Sequence, residues 1–95
     1  DMVDTGGSVT NGIQMLRDQG CKEDIYLATT HGVFSGPAFD RLSAAGFKEV
    51  VVTDTIPIPE EKRFPGLHIL TVADMFAEAI RRNHTRESIS SLYEC

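Results

Sequence analysis

Cysteine is scarce in this chain, with only Cys21 and Cys95 present. Two thiols do not make the disulfide framework of a small secreted domain, and neither sits in a C-x-x-C or Cys/His pattern suited to zinc. A reducing, cytoplasmic setting is the resulting expectation. Basic charge is also in short supply: nine Lys and Arg face fourteen Asp and Glu, for a formal net charge of -5. Binding nucleic acid by counterion release needs clustered cations, so a broad nucleic-acid surface is excluded. The basic pair Arg81-Arg82 falls in the last turns of an expected helix, where cations favour the negative end of the macrodipole. No apolar run approaches the roughly twenty residues that cross a bilayer, and no basic leader precedes a short apolar stretch. A membrane is therefore not an expected partner.

What remains is an ordinary globular composition, 41% apolar and 24% charged, which should fold if its core is whole. A chain of 95 residues makes one domain or part of one, with little stability to spare.

Hydrophobic periodicity alternates along the chain. Val9, Ile13 and Leu16 share one helical face, and Gly20 supplies a stop. Ile25-Tyr26-Leu27-Ala28-Thr29 is a β-favouring run with no charge, as in a strand covered on both faces. Ser35-Gly36-Pro37 reads as a helix start, with Phe39, Leu42 and Ala45 on its apolar face and Gly46 at its end. Val50-Val51-Val52-Thr53 is the most strand-like segment, because consecutive β-branched residues stiffen the backbone into an extended form. The prolines of Ile56-Pro57-Ile58-Pro59 impose an extended stretch, and residues 60–66 form a surface connection. Leu67-His68-Ile69-Leu70 makes a further strand. Thr71 to Asp74 has the form of a capping box, and Val72, Phe76, Ala79 and Ile80 then line the buried side of a helix running to about His84. This alternation predicts an α/β fold, a mainly parallel sheet flanked by helices. Asp1-Met2-Val3 has the look of a strand tip, so the chain is expected to open in the middle of a βα unit.

In an open α/β sheet, ligands sit at the carboxyl ends of strands, where Asp4 to Ser8 lies. Gly6 and Gly7 let the backbone approach a ligand, Thr5 and Ser8 add hydroxyls, and the following helix offers unpaired amides. A phosphate monoester fits such a cradle. Asp1 and Asp4 stand just before it, placed to bind sugar hydroxyls or to accept a proton. The competing reading is a strand-to-helix turn in which Asp4 or Ser8 merely caps the helix. Spacing alone leaves the two readings about even.

Resemblance shifts that balance. Asp1-Met2-Val3-Asp4-Thr5-Gly6-Gly7-Ser8 resembles the phosphoribosyl-diphosphate signature of type I phosphoribosyltransferase-like folds. Thr30-His31-Gly32-Val33-Phe34-Ser35-Gly36-Pro37-Ala38, then Val51-Val52-Thr53-Asp54-Thr55-Ile56-Pro57 and Glu87-Ser88-Ile89-Ser90-Ser91-Leu92-Tyr93, are similar in this order to the ribose-phosphate pyrophosphokinase family. The first motif is shared by many enzymes, and the later stretches are more specific.

That resemblance implies a carboxy-terminal part of a phosphoribosyltransferase-like domain spanning residues 1–95, truncated on its amino-terminal side. It implies an enzyme moving the β,γ-diphosphate of Mg-ATP to the anomeric hydroxyl of ribose 5-phosphate. Asp4, Thr5, Gly6, Gly7 and Ser8 match the loop around the sugar phosphate. Asp1 matches an acid near the ribose hydroxyls and is a possible outer contact for Mg²⁺, which substrate phosphates chiefly hold. Ser88 and Ser90 match serines at a regulatory phosphate and ADP site on a subunit interface of a hexamer. The family's basic catalytic loop and nucleotide-binding half have no counterpart here, so this segment is expected to be inactive alone. It is also expected to expose an apolar face and to self-associate.

Three rivals deserve weight. Asp4-Thr5-Gly6 is the triplet of an aspartic protease, although those enzymes need β-strands on both sides of it. A non-catalytic regulatory relative would typically have lost the Thr-Gly-Gly-Ser type of loop. A true phosphoribosyltransferase would share the first motif without the segment from His31 to Ala38. His31 could face the site or bond a neighbour, and His68 and His84 read as solvent-facing or satisfied. The three histidines are too irregularly spaced to suggest a metal site made by protein alone.

Overall fold

The best-formed element grows from the β-branched run. In the computed structural model, which describes residues 1–93, Glu49–Thr53 is the central strand of a three-stranded parallel sheet. Its inward residues Val50 and Val52 are almost wholly buried. In chain order the elements are β1 (Met2–Val3), α1 (Gly7–Asp18), β2 (Tyr26–Thr29), β3 (His31–Gly32), α2 (Ala38–Ala45), β4 (Glu49–Thr53), β5 (Leu67–Leu70) and α3 (Ala73–Thr85). Short 3₁₀ turns cover Glu60–Lys62 and Ser90–Tyr93. Strand β4 pairs in parallel with β2 (Leu27 opposite Val50) and with β5 (Val52 opposite Ile69). Strand β1 pairs in parallel with β3, Met2 opposite His31 and Val3 opposite Gly32. The expected α/β architecture with parallel strands is present.

One core lies between the sheet and α2. Val3, Phe34, Ala38, Leu42, Val50, Val52, Ile58 and Phe64 form it. Phe64 meets Phe34 and Phe39 edge-on, with ring centroids 6.2 and 6.0 Å away, the arrangement favoured by aromatic quadrupoles. Phe64 comes from the segment expected to run over the surface, and Ile58 from the extended proline stretch just before it. Their neighbours are prolines and charges, so no period of 2 or 3.6 marked them as core. The two-residue strand His31–Gly32 was also unanticipated.

Several expectations of burial are corrected. Leu16, expected on the inner face of α1, is 52% exposed. Strand β2 is covered on one face only, leaving Tyr26 and Ala28 in solvent. The face of α3 is open, with Phe76 50% and Ile80 70% exposed, and no residue of that helix is buried. The capping box does not form either: Val72 is the N-cap, with no side-chain cap bond. Asp54 serves instead, its carboxylate accepting the Val72 N–H at 2.9 Å. That bond, with help from Thr71, holds the Asp54 carboxyl below its ordinary range.

The radius of gyration is 16.3 Å and the extents are 51 × 30 × 19 Å, against roughly 12 Å for a compact domain of this length. Exposed surface totals 6780 Å², about a quarter more than the ~5,400 Å² expected for a folded monomer of this mass. The excess reflects apolar faces that no described element covers. Exposed Met15, Leu16, Tyr26, Leu70, Met75, Phe76 and Ile80 are the sort of surface that drives association. Gel filtration of this chain is expected to show self-association, and a well-behaved monomer would refute that expectation.

Gly32 lies against the centre of the core. A Cβ there would sit 2.8 Å from the Phe34 ring and 2.9 Å from Val52. Gly32→Ala is therefore expected to cost about 1–3 kcal/mol by overpacking, read as a lowered Tm.

The end of α3 is held electrostatically. Glu78 takes hydrogen bonds from Arg81 and Arg82, at 2.7 Å each, and these lower its carboxyl from 4.5 to about 2. Because the folded value is the lower one, the contribution is complete above the unfolded value near 4.5. It fades as pH falls through the folded value of about 2. An NMR titration of Glu78 should show the depressed midpoint, accompanied by loss of α3 helicity in acid. A midpoint at the ordinary glutamate value would show that the pair is not formed.

Candidate functional site

The turn from β1 into α1 needs a backbone that reverses sharply within three residues. Gly6 supplies it with φ 84° and is the N-cap of α1, a conformation that L side chains occupy only at a cost. No side chain caps the helix. The capping alternative for Asp4 or Ser8 is therefore not the arrangement found. Ser8 lies within the first turn, and α1 begins at Gly7, two residues earlier than the periodicity suggested. Thr10 is the first residue whose N–H finds a helical acceptor, the Gly6 carbonyl at 3.1 Å. The amides of residues 7 to 9 are thus the orphan donors of this helix, at the positive end of its dipole.

Residues 2 to 9 line a cup of about 150 Å³, space for several waters at about 30 Å³ each and thus for a tetrahedral oxyanion. Asp4, Thr5, Gly6, Gly7 and Ser8 all contribute to its wall. Asp1 does not. It lines a neighbouring hollow at the carboxyl ends of β2 and β4, with Thr29, Thr30 and Thr53. In that wall Thr29 Oγ1 is buried with no hydrogen-bond partner among the described residues. The main chain of Asp1 is fixed, its carbonyl accepting the His31 N–H at 2.9 Å.

The second motif braces the first. The N–H groups of Val33 and Phe34 donate to the Val3 carbonyl at 2.9 and 3.2 Å, and that of Ser35 donates to the Asp4 carbonyl at 3.0 Å. The Ser35 hydroxyl also donates to the Asp4 carboxylate. Beneath Gly6 lie Ala38, Arg41 and Leu42 of α2, all within 3.8 Å of the place a Cβ would take. The Arg41 guanidinium reaches the loop itself, donating to the Thr5 carbonyl at 3.4 Å. Nothing in the local sequence singled out Arg41: it is one exposed cation on an amphipathic helix.

His31 bonds through Nδ1 to the Thr55 hydroxyl at 2.7 Å, within a threonine cluster. In that cluster Thr53 donates to the Thr30 carbonyl at 2.6 Å. Ser88 and Ser90 are exposed and stand beyond α3, apart from the cup. There the Arg82 guanidinium donates to the Ser88 carbonyl at 3.2 Å and to the Ser91 hydroxyl at 2.6 Å. Among the described residues no three Asp, Glu, His or Cys side chains converge as a metal site. No helix there is long and apolar enough to cross a membrane. The aspartic-protease reading loses its structural basis, since α1 follows the Asp4-Thr5-Gly6 triplet at once, where those enzymes need a β-strand.

Comparison with known proteins agrees with this architecture. The family described as phosphoribosyl synthetase-associated domain matches residues 1–94. The ribose-phosphate pyrophosphokinase of Synechococcus elongatus is 53% identical over 94 residues, covering 98% of this chain and 28% of its own length. That of Mycobacterium leprae is 47% identical, covering 99% and 28% respectively. The crystal structure of phosphoribosylpyrophosphate synthetase from Mycobacterium smegmatis superposes with a TM-score of 0.87 at 46% identity, over 90% of this chain and 28% of that one. The chain thus spans a little over a quarter of the length of these relatives. These matches do not establish the expected carboxy-terminal placement. Parallel strands, a glycine turn opening on a helix and similarity along the whole chain lead to one assignment: the chain belongs to the phosphoribosyl synthetase-associated domain family.

Proposed function

We propose that this chain carries the ribose 5-phosphate-binding loop of a ribose-phosphate diphosphokinase. The observation that carries the reading is the cup of residues 2 to 9, whose first-turn amides have no side-chain cap. A phosphate dianion is the guest such donors suit, because the amides and the helix dipole point the same way. Thr5 and Ser8 add hydroxyl donors, and Gly6 and Gly7 keep the wall thin.

In the reaction proposed for the intact enzyme, the anomeric hydroxyl of ribose 5-phosphate attacks the β-phosphorus of ATP. A bond from that oxygen to Pβ forms, the bond from Pβ to the oxygen of the α-phosphate breaks, and AMP leaves. The hydroxyl proton passes to a base, and Asp4 and Asp1 are the carboxylates available here. Charge spreads over the phosphoryl oxygens, so rate comes chiefly from positioning and from cations. This chain's share is to fix the sugar phosphate. Magnesium commonly takes one or two carboxylates with substrate oxygens and water, and Asp1 is its candidate contact. The described residues gather no cage of their own.

ATP, the homohexameric assembly and a cytoplasmic location belong to the same proposal for the intact enzyme, as does a regulatory phosphate near Ser88 and Ser90. Arg82, already bonded to the Ser88 carbonyl and the Ser91 hydroxyl, is a cation at hand there. A non-catalytic regulatory relative and a type I phosphoribosyltransferase are the remaining alternatives. Retention of Thr5-Gly6-Gly7-Ser8 speaks against the first, and the bracing segment His31 to Ala38 against the second.

Calorimetric titration with ribose 5-phosphate tests the loop. Binding is expected, and it should be lost in Gly6→Ala, where a side chain at φ 84° costs about 1–2 kcal/mol. Ser8 is exposed and caps nothing, so Ser8→Ala should leave stability within about 0.5 kcal/mol while weakening the ligand. A stability loss without a binding loss would return Ser8 to a structural role. Incubating this chain alone with Mg-ATP and ribose 5-phosphate should yield no AMP, and turnover would overturn the assignment of the missing catalytic parts.

A further inference from the structure

Gly7 poses a question that its backbone does not answer. Gly6, Gly20, Gly36, Gly46 and Gly66 are the glycines with positive φ, and Gly7 is not among them. The left-handed turn therefore requires only the first glycine of the pair. What a side chain at Gly7 would meet is Arg41: a Cβ there would lie 3.2 Å from the Arg41 guanidinium Nη1. The same Nη1 donates to the Thr5 carbonyl, and among the described residues Arg41 joins no ion pair. Its Cβ packs 3.6 Å from where a Cβ of Gly6 would be, so the side chain runs under the loop from Gly6 to Thr5.

We propose that Arg41 is a positioning residue for the phosphate loop, and that Gly7 lacks a side chain to make room for its guanidinium. This rests on the reading of the cup as a phosphate site and assigns part of that site's charge to α2. A planar guanidinium on the Thr5 carbonyl fixes the loop's entry. Arg41 itself lines no part of the cup, so it acts through the Thr5 carbonyl, and its charge, unneutralised by any described carboxylate, adds to the helix dipole from beneath the loop. The chemistry recognised is a phosphate monoester in its dianionic form. Discrimination should therefore follow the second ionisation of the phosphate, near pH 6.

The test is a double-mutant cycle on the full chain, using ribose 5-phosphate as the probe from pH 5 to 8. Arg41→Ala is expected to weaken binding about tenfold at pH 8 and less at pH 5, since the loop's brace and a nearby positive charge are lost together. Arg41→Lys should recover part of the loss. Gly7→Ala should weaken binding by a similar factor in the unaltered background and by about twofold at most in Arg41→Ala, because the two act through one contact. Circular dichroism of each variant reports folding, and the comparison of affinities is made among folded variants. Unchanged affinity in a folded Arg41→Ala, or additive effects of the two substitutions, would overturn the role of Arg41 while leaving the phosphate loop in place. Failure of the unaltered full chain to bind ribose 5-phosphate would overturn both readings.

Discussion

Everything around the cup depends on one backbone reversal. At Gly6 the chain leaves β1 and enters α1 with φ 84°, and this turns the amides of the first helical turn outward together. Were the helix capped by a side chain, as most helices are, one of those donors would be satisfied internally. Here none is. The turn gives up a stabilising bond and leaves donors open, a pattern typical of sites where local stability yields to binding.

A reversal like this stays in place only if its surroundings leave it no alternative. The second motif supplies that restraint. Hydrogen bonds from Val33, Phe34 and Ser35 pin the carbonyls of Val3 and Asp4, and the packed face of α2 closes the space under Gly6. Phe34 is itself held at φ 51° and is buried, so strain in the bracing segment is offset by core packing. The stretch from His31 to Ala38 thus acts largely as architecture. Its side chains and amides fix Asp4 and Gly6, and no polar group of its own enters the wall of the cup.

How much of this was legible in the sequence follows from which signals are local. The run Val50 to Thr53 announced a buried strand because β-branching and apolarity agree, and Gly46 ended α2 in the left-handed form as a glycine stop does. The cup's glycine turn was legible as a glycine pair before a helix. The start of α1 was not, because a helix opening on Gly7 has no propensity signal. Ile58 and Phe64 escaped notice because they are isolated apolar residues among prolines and charges, recruited by a core that assembles from distant segments. Arg41 was invisible for the same reason: its partner Thr5 is 36 positions away. Errors of the opposite kind fell on Leu16, Phe76 and Ile80. Their periodicity is real, yet amphipathicity says only that a face wants a partner, and no described element provides one.

The open faces and the closed cup therefore answer to different causes. A helix such as α3, apolar on one side and unpacked, holds its conformation through local terms: the Asp54 carboxylate at its start and the Glu78, Arg81 and Arg82 network near its end. Exposed ion pairs of this sort are weak individually, and no residue of the helix is buried to add to them. The cup is secured by burial, since Val3, Phe34, Ala38 and Leu42 all belong to the core beneath it. Loss of α3 helicity thus need not disturb the loop. The geometry of the cup is built into the part of the fold that has a core beneath it.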